Sequence, residues 1–397
     1  QSLWEHLGRV ALSISDGSRS RSKRQSSLRA TIDWSYSLLA PEAQATYRRL
    51  GVFAGEFALS RAGQVLGPKD EDEVDVRRRI AELVEVSLVS VEVDAHGHAH
   101  HRLLRIIRDH ARWRLAQDDE EDKWFGRHAS VYLRLARRAA RGMAGPAVAA
   151  WQARLEREHV DLVGAIEWAS THRQRRTALA IASRLWRYWY SVGRPSEGLQ
   201  LLQPLVRSMP MRLPAAEQAE ARMAIGVMQF AEGSYPVAVE SFSTALASYR
   251  EADDAAGQGV CLTYLCRTLA NAADYARSAS FGNEAVQVLT NLRDARFLAA
   301  AHQALGDAAA RQGHLPRARA HFRTALRLGK AHRDRRIVAS AFSGLGTVEL
   351  READLATARR RFEAARRILA ALADRSRMPA LTYMMAMCAL SEGQLDV

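Results

Sequence analysis

Lysine is almost missing from this 397-residue chain. Of its 57 basic side chains only four are lysine, at positions 23, 69, 123 and 330, and all the others are arginine. Nowhere does Gly-x-x-x-x-Gly-Lys-[Ser/Thr] occur, so the backbone cradle and lysine that hold a triphosphate are absent. The chain by itself is expected neither to bind nor to hydrolyse ATP. Cysteine is scarce as well: Cys261, Cys266 and Cys388 cannot build a disulfide framework. The first two lie on one helical pattern, pointing to different faces, and read as small core residues in a reducing compartment. The longest apolar run, MPALTYMMAMCAL at 378–390, falls short of the roughly 20 residues that a membrane-spanning helix needs. No Ser-His-Asp, Cys-His or paired-carboxylate arrangement stands out, which argues against an enzyme. A secretory signal is missing at the start, and the chain, beginning at Gln1, reads as a cytoplasmic fragment of something longer.

What is present is ordinary globular material, 48% hydrophobic and 25% charged, enough for two or three domains. The net charge of +13 is concentrated: residues 295–377 hold 18 Lys and Arg against 7 Asp and Glu. Such a surface can hold phosphates or acidic partners, or be a solvated helical face. The arginine bias itself fits either a GC-rich genome or guanidinium chemistry. All eight tryptophans precede residue 190, at helical spacings that predict core positions rather than stacking platforms.

The second half repeats itself. Asp254, Asp294, Asp334 and Asp374 recur every 40 residues, and so do Gly226, Gly306 and Gly346 with Cys266 in the intermediate slot. Gly233, Gly313 and Gly393 keep the same step, as do Ala245, Ala285, Ala325 and Ala365. Apolar residues recur at helical spacing on both sides of Gly233, so each unit reads as a helix, a tight turn and a second helix. Gly226 and Ala238 permit close approach, with Phe242 and Leu246 filling the gap between units. The pattern resembles the tetratricopeptide repeat, in a unit a few residues longer than usual, which predicts extended inter-repeat turns. Five repeats and a truncated sixth are expected from about 178 to 397. Stacked repeats present a concave face that binds proteins or peptides more often than it catalyses. The repeat geometry that the resemblance implies places Arg267, Asn271, Gln303, Asp307, Arg311, Thr347 and Arg351 on that face, as partner-groove residues or simply solvated ones.

In the first half, Ile32, Tyr36 and Leu39 share a helical stripe, and Pro41 opens a second helix. A third covers about 59 to 66, a fourth 76 to 86, and SLVSVEV alternates as a strand that turns at DAHGHAH and returns into a helix near Leu104. Three of these helices, the hairpin and the closing helix make a winged-helix pattern. In versions that bind DNA the helix before the hairpin enters the major groove, where Arg77, Arg78 and Arg79 would be contacts, although Glu82 and Glu85 share that helix. At the hairpin, His96, His98 and His100 fall on one side of a strand beside His101. They suit either a borderline metal or a polar, solvent-facing wing.

The segments RQSSLRATIDWSYSLLAPEAQATYRRLGVFAGEFAL (24–59), IAELVEVSLVSVE (80–92), HRLLRIIRDHARWRL (101–115) and WQARLEREHVDLVGAIEWA (151–169) resemble bacterial STAND-type, NB-ARC-containing transcriptional regulators. These are similar to the antibiotic-regulatory and LuxR-associated ATPases, and the matching region lies downstream of the nucleotide-binding core. The resemblance implies a mainly α fold: the tail of a missing NTPase core (1–27), a winged-helix domain with one β-hairpin (28–117), an α-helical linker (118–177) and a tetratricopeptide-repeat superhelix (178–397). It implies a regulator in which the repeats take a protein or small-molecule signal and the winged helix couples it to upstream ATPase and effector domains. ATP or ADP would belong to the parent protein, DNA would be bound through another domain, and no membrane is involved. The family's nucleotide-sensing motif, Met-His-Asp or Leu-Leu-Glu in relatives, falls on Leu103, Leu104 and Arg105, or one residue away. Arginine there replaces an acidic residue and favours phosphate oxygens. The rival readings are a direct DNA-binding winged helix and a stand-alone repeat scaffold.

Overall fold

The computed structural model describes residues 29–67, 73–93, 97, 99–143, 145, 147–209, 212–292, 295–372, 374 and 377–391. The expected core tail at 1–27, His96, His98, Asp294 and Gly393 lie outside them. The chain divides into two compact units, Gln1–Leu135 with Glu156–Ala178, and Ala136–Leu155 with Leu179–Val397. Among the described residues no helix is long and apolar enough to cross a membrane.

The first unit begins with α1 (29–37), α2 (Pro41–Leu50), α3 (Leu59–Leu66) and α4 (Glu73–Glu85). The hairpin β1 (Ser90–Val93) and β2 (Ala99–Arg102) follows, then α5 (Arg105–Gln117). The strands pair antiparallel with Val91 opposite His101 and Glu92 opposite His100, and Phe57 extends the sheet by one bridge to His101. This is the expected winged-helix order. The stripe of Ile32 and Tyr36 is buried with Tyr47, Leu50, Phe53 and Phe57, while Trp34, two residues along α1 and so on its other face, is 64% exposed. Trp113 is also partly exposed, with the Arg29 guanidinium 4.0 Å from its ring centroid. For these two tryptophans the core expectation fails; Trp124, Trp168, Trp186 and Trp189 are buried.

From here α6 (Glu121–Gly142) and α7 (Val148–Arg157) each supply residues to both units, and α8 (His159–Thr171) belongs to the first. Helix α9 (Arg175–Arg184) again supplies residues to both units, and the second continues through α10 (Trp186–Val192) and α11 (Pro195–Arg207). The repeats proper are α12 (Ala215–Ala231), α13 (Tyr235–Glu251), α14 (Ala255–Asn271), α15 (Tyr275–Asn291), α16 (Ala295–Arg311), α17 (Leu315–Ala331), α18 (Arg335–Arg351) and α19 (Leu355–Ala371), closed by α20 (Met378–Ser391).

The helices from α12 to α19 are each 17 residues long and follow one another at three-residue connections. The period of 40 is therefore twice 20, and the expectation of extended inter-repeat turns is corrected. Turns within and between repeats are equally short, and the additional length of the unit lies in its helices, at about 1.5 Å per residue. One turn geometry serves all six described connections. The middle residue is left-handed: Gly233 (φ 77°), Asp253 (51°), Ala273 (60°), Gly313 (87°), Arg333 (52°) and Ala353 (62°). The next residue donates its N–H to the carbonyl five positions back, as Asp254 does to Tyr249 at 3.0 Å and Asp274 to Leu269 at 2.9 Å.

Four of those next residues are aspartates whose carboxylates cap the helix they open. Asp254 accepts from Gly257 N (2.9 Å), Asp274 from Arg277 N (3.2 Å), Asp334 from Arg336 N (3.0 Å) and Asp354 from Thr357 N (3.1 Å). These four aspartates are thus N-caps, and a cap at this position contributes about 1 kcal/mol. Asp374 departs from the series: it is buried and takes Arg336 at 2.8 Å and Arg377 at 3.1 Å.

Three of the four helical pairs close on a glycine against a phenylalanine ring. A Cβ on Gly226 would stand 2.6 Å from Phe242, one on Gly306 2.5 Å from Phe322, and one on Gly346 2.7 Å from Phe362. These contacts, with the buried Ala245, Ala285, Ala325 and Ala365, form a core that runs along the stack. First helices also pack on first helices in series, α12 on α14, α14 on α16 and α16 on α18, so one face of each points into the concave side.

Candidate ligand cavity

A period of 40 stacks equivalent side chains in rows along the concave wall. One row is Arg267, Asp307 and Thr347 on α14, α16 and α18; a second, one turn earlier, is Thr263, Gln303 and Ser343. Both rows line a cavity of about 420 Å3. Trp186, Arg187 and Tyr190 of α10 close it on one side, and Arg377, Ala380 and Leu381 on the other. Of the groove residues expected from the sequence, the structure brings together Arg267, Gln303, Asp307 and Thr347. Asn271, Arg311 and Arg351 form a third row, one turn further on, and do not line the cavity. Asn271 instead donates to the Arg267 carbonyl at 2.8 Å, and Arg351 donates to the Ala310 carbonyl.

Aromatic rings make up much of the wall. Tyr264 meets Trp186 edge-on, with ring centroids 5.9 Å apart at 87°. The Arg267 guanidinium lies 5.5 Å from the Tyr264 centroid and 5.2 Å from that of Phe230, and the Arg187 guanidinium 4.0 Å from Trp186. Both arginines are half-buried, and among the described residues no carboxylate comes within 4.0 Å of either. Burial lowers the Arg187 pKa. The carboxylate inside the cavity is Asp307, which accepts from Gln303 Nε2 at 3.3 Å. Burial raises its pKa to about 6, against the opposing pull of Arg267 and Arg311. Gln303 Oε1 is buried with no hydrogen-bond partner.

In the first unit, Leu103 is buried, Leu104 is 44% exposed, and Arg105 opens α5 with its side chain in solvent, 3.9 Å from Asp109. Arg77 and Arg78 lie on the exposed side of α4 and Arg79 is half-buried. Arg78 is engaged by Asp75 at 3.1 Å and Glu82 at 3.5 Å. His101 is buried and stacked on Phe57 at 6.0 Å, which removes it from any metal set on the wing. Burial lowers its pKa, as expected for a neutral core ring. Among the described residues no three His, Cys, Asp or Glu side chains gather as metal ligands.

One network of the first unit has no local sequence signal. The segment 51–57 is held by partners far along the chain: Asp161 Oδ1 accepts from Ala54 N at 2.6 Å, Asp161 Oδ2 from Gly55 N at 3.3 Å, and Arg112 Nε donates to the Gly51 carbonyl at 2.6 Å. His128 Nε2 is 3.2 Å from the same carboxylate, and Arg61 grips Glu158 through two hydrogen bonds of 2.7 Å.

Residues 39–116 match the winged helix-turn-helix domain family. Over 189 residues the chain is 34% identical to a Mycobacterium tuberculosis protein provisionally named an HTH-type transcriptional regulator; the match takes in 47% of this chain and 21% of that one. The chain thus spans about a fifth of the length of this curated relative. A Rap protein solved in complex with competence and sporulation factor superposes with a TM-score of 0.52 at 13% identity, covering 67% of this chain and 72% of that one. A STAND protein with a tetratricopeptide repeat sensor from Pyrococcus horikoshii superposes with a TM-score of 0.46 at 12% identity, covering 92% and 62%. The chain is similar to transcriptional regulators in its winged helix-turn-helix domain, and its second unit has the tetratricopeptide-like repeat fold.

Proposed function

We propose that the chain is the sensing and coupling portion of a larger signal-dependent transcriptional regulator of the STAND kind. The repeats receive a protein or small-molecule signal in their concave cavity. The winged-helix domain couples that event to an upstream nucleotide-binding core, where ATP or ADP is bound, with Leu103, Leu104 and Arg105 facing the nucleotide. Arginine in place of an acid then makes a phosphate contact where relatives sense a different group. DNA is held by a further effector domain, and the protein works in the cytoplasm without catalysis by this chain.

The observation that carries this reading is a cavity on the repeats in which, among the described residues, no carboxylate comes within 4.0 Å of two half-buried arginines, in a chain whose winged helix resembles those of regulators. The Rap protein, of similar repeat fold, is itself solved in complex with competence and sporulation factor. The test is a transcriptional reporter driven by the parent protein. Removing 179–391 is expected to abolish the response to the inducing condition, and a response that survives the deletion refutes the reading.

A second reading, direct DNA binding, is favoured by the family match of residues 39–116. It assigns Arg77, Arg78 and Arg79 to the duplex and predicts affinity that falls steeply with salt. Arg78 would first have to leave Asp75 and Glu82. A gel shift at low salt, with Arg77 and Arg78 replaced by alanine, separates the two readings.

A further inference from the structure

The concave cavity is electrostatically incomplete. Arg187 and Arg267 are taken partly out of water and no carboxylate of the described residues approaches within 4.0 Å of them. Half-buried guanidinium groups with no carboxylate in contact are costly, and a bound anion lowers that cost beyond what the more distant Asp307 and the Tyr190 hydroxyl supply to Arg267. At the rim Arg377 shares the Asp374 carboxylate with Arg336, at 3.1 and 2.8 Å, so the rim as well as the interior keeps a positive charge. Around it stand Trp186, Tyr264 and Phe297, whose rings offer a flat apolar surface. A volume of about 420 Å3 fits a small organic molecule and not a folded partner.

We propose that this cavity binds a small organic anion carrying a flat ring, its charge held by Arg187 and Arg267 and its ring by the aromatic wall. Guanidinium groups pair with carboxylate, phosphate or sulfonate oxygens through two parallel N–H donors, and ring stacking on the same arginines adds to the contact. The orphaned Gln303 Oε1 selects a ligand with a hydroxyl or N–H donor as well. This assignment rests on the repeats being the sensor and names what they sense.

Asp307 is the opposing charge. Around it stand Gln303 and Arg311 on its own helix, Arg267 and Tyr264 on α14, Tyr190 and Arg187 on α10, Arg377 ahead of α20, and the uncharged Ser343 and Thr347 on α18. Among the described residues no histidine lines the cavity. As pH falls through about 6 the carboxylate takes a proton, its repulsion of a bound anion disappears, and affinity rises.

The experiment titrates the whole 397-residue chain with naphthalene-2-sulfonate, which stays ionised throughout, by calorimetry from pH 5 to pH 8. Naphthalen-2-ol and 2-(aminomethyl)naphthalene serve as the uncharged and cationic controls. The sulfonate is expected to bind at least about tenfold more tightly than either control, the difference that one charge-assisted pair makes. Arg267→Gln and Arg187→Gln should each weaken it by about tenfold or more with unchanged circular dichroism. Asp307→Asn should tighten it at pH 8 by about fivefold and flatten its pH profile. Equal binding of all three probes, or sulfonate binding untouched by both arginine variants, overturns the proposal. So does saturation by an acidic hexapeptide with no sulfonate binding, which would make the ligand a peptide. A reporter response that needs the repeats but ignores the two arginine variants overturns the anion assignment alone. Anion binding by a parent protein whose response survives repeat deletion overturns the sensor reading instead.

Discussion

Cys266 and Gly282 exchange the sizes found at the same two positions in the other repeats. Where repeats on either side set a glycine against a phenylalanine, Gly226 with Phe242 and Gly306 with Phe322, this one sets the thiol against a glycine. A Cβ on Gly282 would stand 2.9 Å from Cys266 Sγ and would run into Leu305, so the vacated volume is filled from two sides. The thiol also shares a hydrogen bond with Ser278 at 3.5 Å, and burial pushes its pKa up to about 11, which leaves it inert. Gly282→Phe alone is expected to overpack the pair and cost about 3 kcal/mol. Adding Cys266→Gly should return at least about 1 kcal/mol, a coupling that only touching residues show. Urea denaturation of both single variants and the double variant checks it; strict additivity would sink the idea of a matched pair.

The turns offer a stabilising prediction. Ala273 and Ala353 hold φ of 60° and 62° at the position that Gly233 and Gly313 occupy in the neighbouring repeats. A Cβ in the left-handed region costs about 1 kcal/mol, part of which glycine returns through its greater freedom in the unfolded chain. Ala273→Gly with Ala353→Gly should raise the thermal midpoint by about 2–4 °C in total, and Gly313→Ala should lower it. Calorimetry of the three variants decides this, and a lower midpoint for the paired glycine variant contradicts it.

How far the sequence foretold this molecule follows from where its information lies. The repeats were legible because the same contacts recur every 40 residues, but the half-period of 20 was hidden. The left-handed position is filled in turn by Gly, Asp, Ala and Arg, and only the aspartate caps betray it. Within the cavity, Arg267, Gln303, Asp307 and Thr347 were legible through that same register. Arg187 and Tyr190 come from a divergent first repeat whose first helix is broken at Leu185, and Arg377 precedes a helix that the register no longer covers. In the winged-helix unit the hairpin and its helices followed from alternation and helical spacing. The bracing of Ala54 by Asp161 joins residues 107 apart, and no local pattern can announce such a contact.

That brace can be tested directly. Asp161 is almost fully buried, and its oxygens satisfy the N–H groups of Ala54 and Gly55 while facing His128. Asp161→Ala leaves two donors and the histidine without a partner and should cost about 3 kcal/mol; Asp161→Asn keeps one acceptor and should cost about half of that. Hydrogen exchange at the Ala54 and Gly55 amides is the specific readout, since both should exchange faster in the alanine variant. Unchanged protection of these two amides would show that the carboxylate is not what holds the segment.

The repeats should also carry two opposite pH dependences. His302 and His321 face each other with Nδ1 atoms 3.1 Å apart, sharing one proton between neutral rings. Burial, followed by the His321 and Arg327 charges, lowers the His302 pKa to about 4. An unfolded histidine titrates near 6.5, so as pH falls below 6.5 the unfolded chain takes protons first and stability is lost down to about 4. Asp307 runs the other way. Its folded pKa of about 6 exceeds the ordinary 3.8, so between those values the folded state takes the proton first and stability rises on acidification. In the unaltered chain the two slopes oppose each other between pH 6 and pH 4. Asp307→Asn should remove the gain and leave a midpoint that falls more steeply with acid, while His302→Gln should remove most of the loss and leave one that falls less or rises. Thermal midpoints recorded across that range, with circular dichroism to follow the helices, separate the contributions. Parallel profiles for the chain and its Asp307→Asn variant would mean that this carboxylate titrates at its ordinary value and that burial in the cavity does not perturb it.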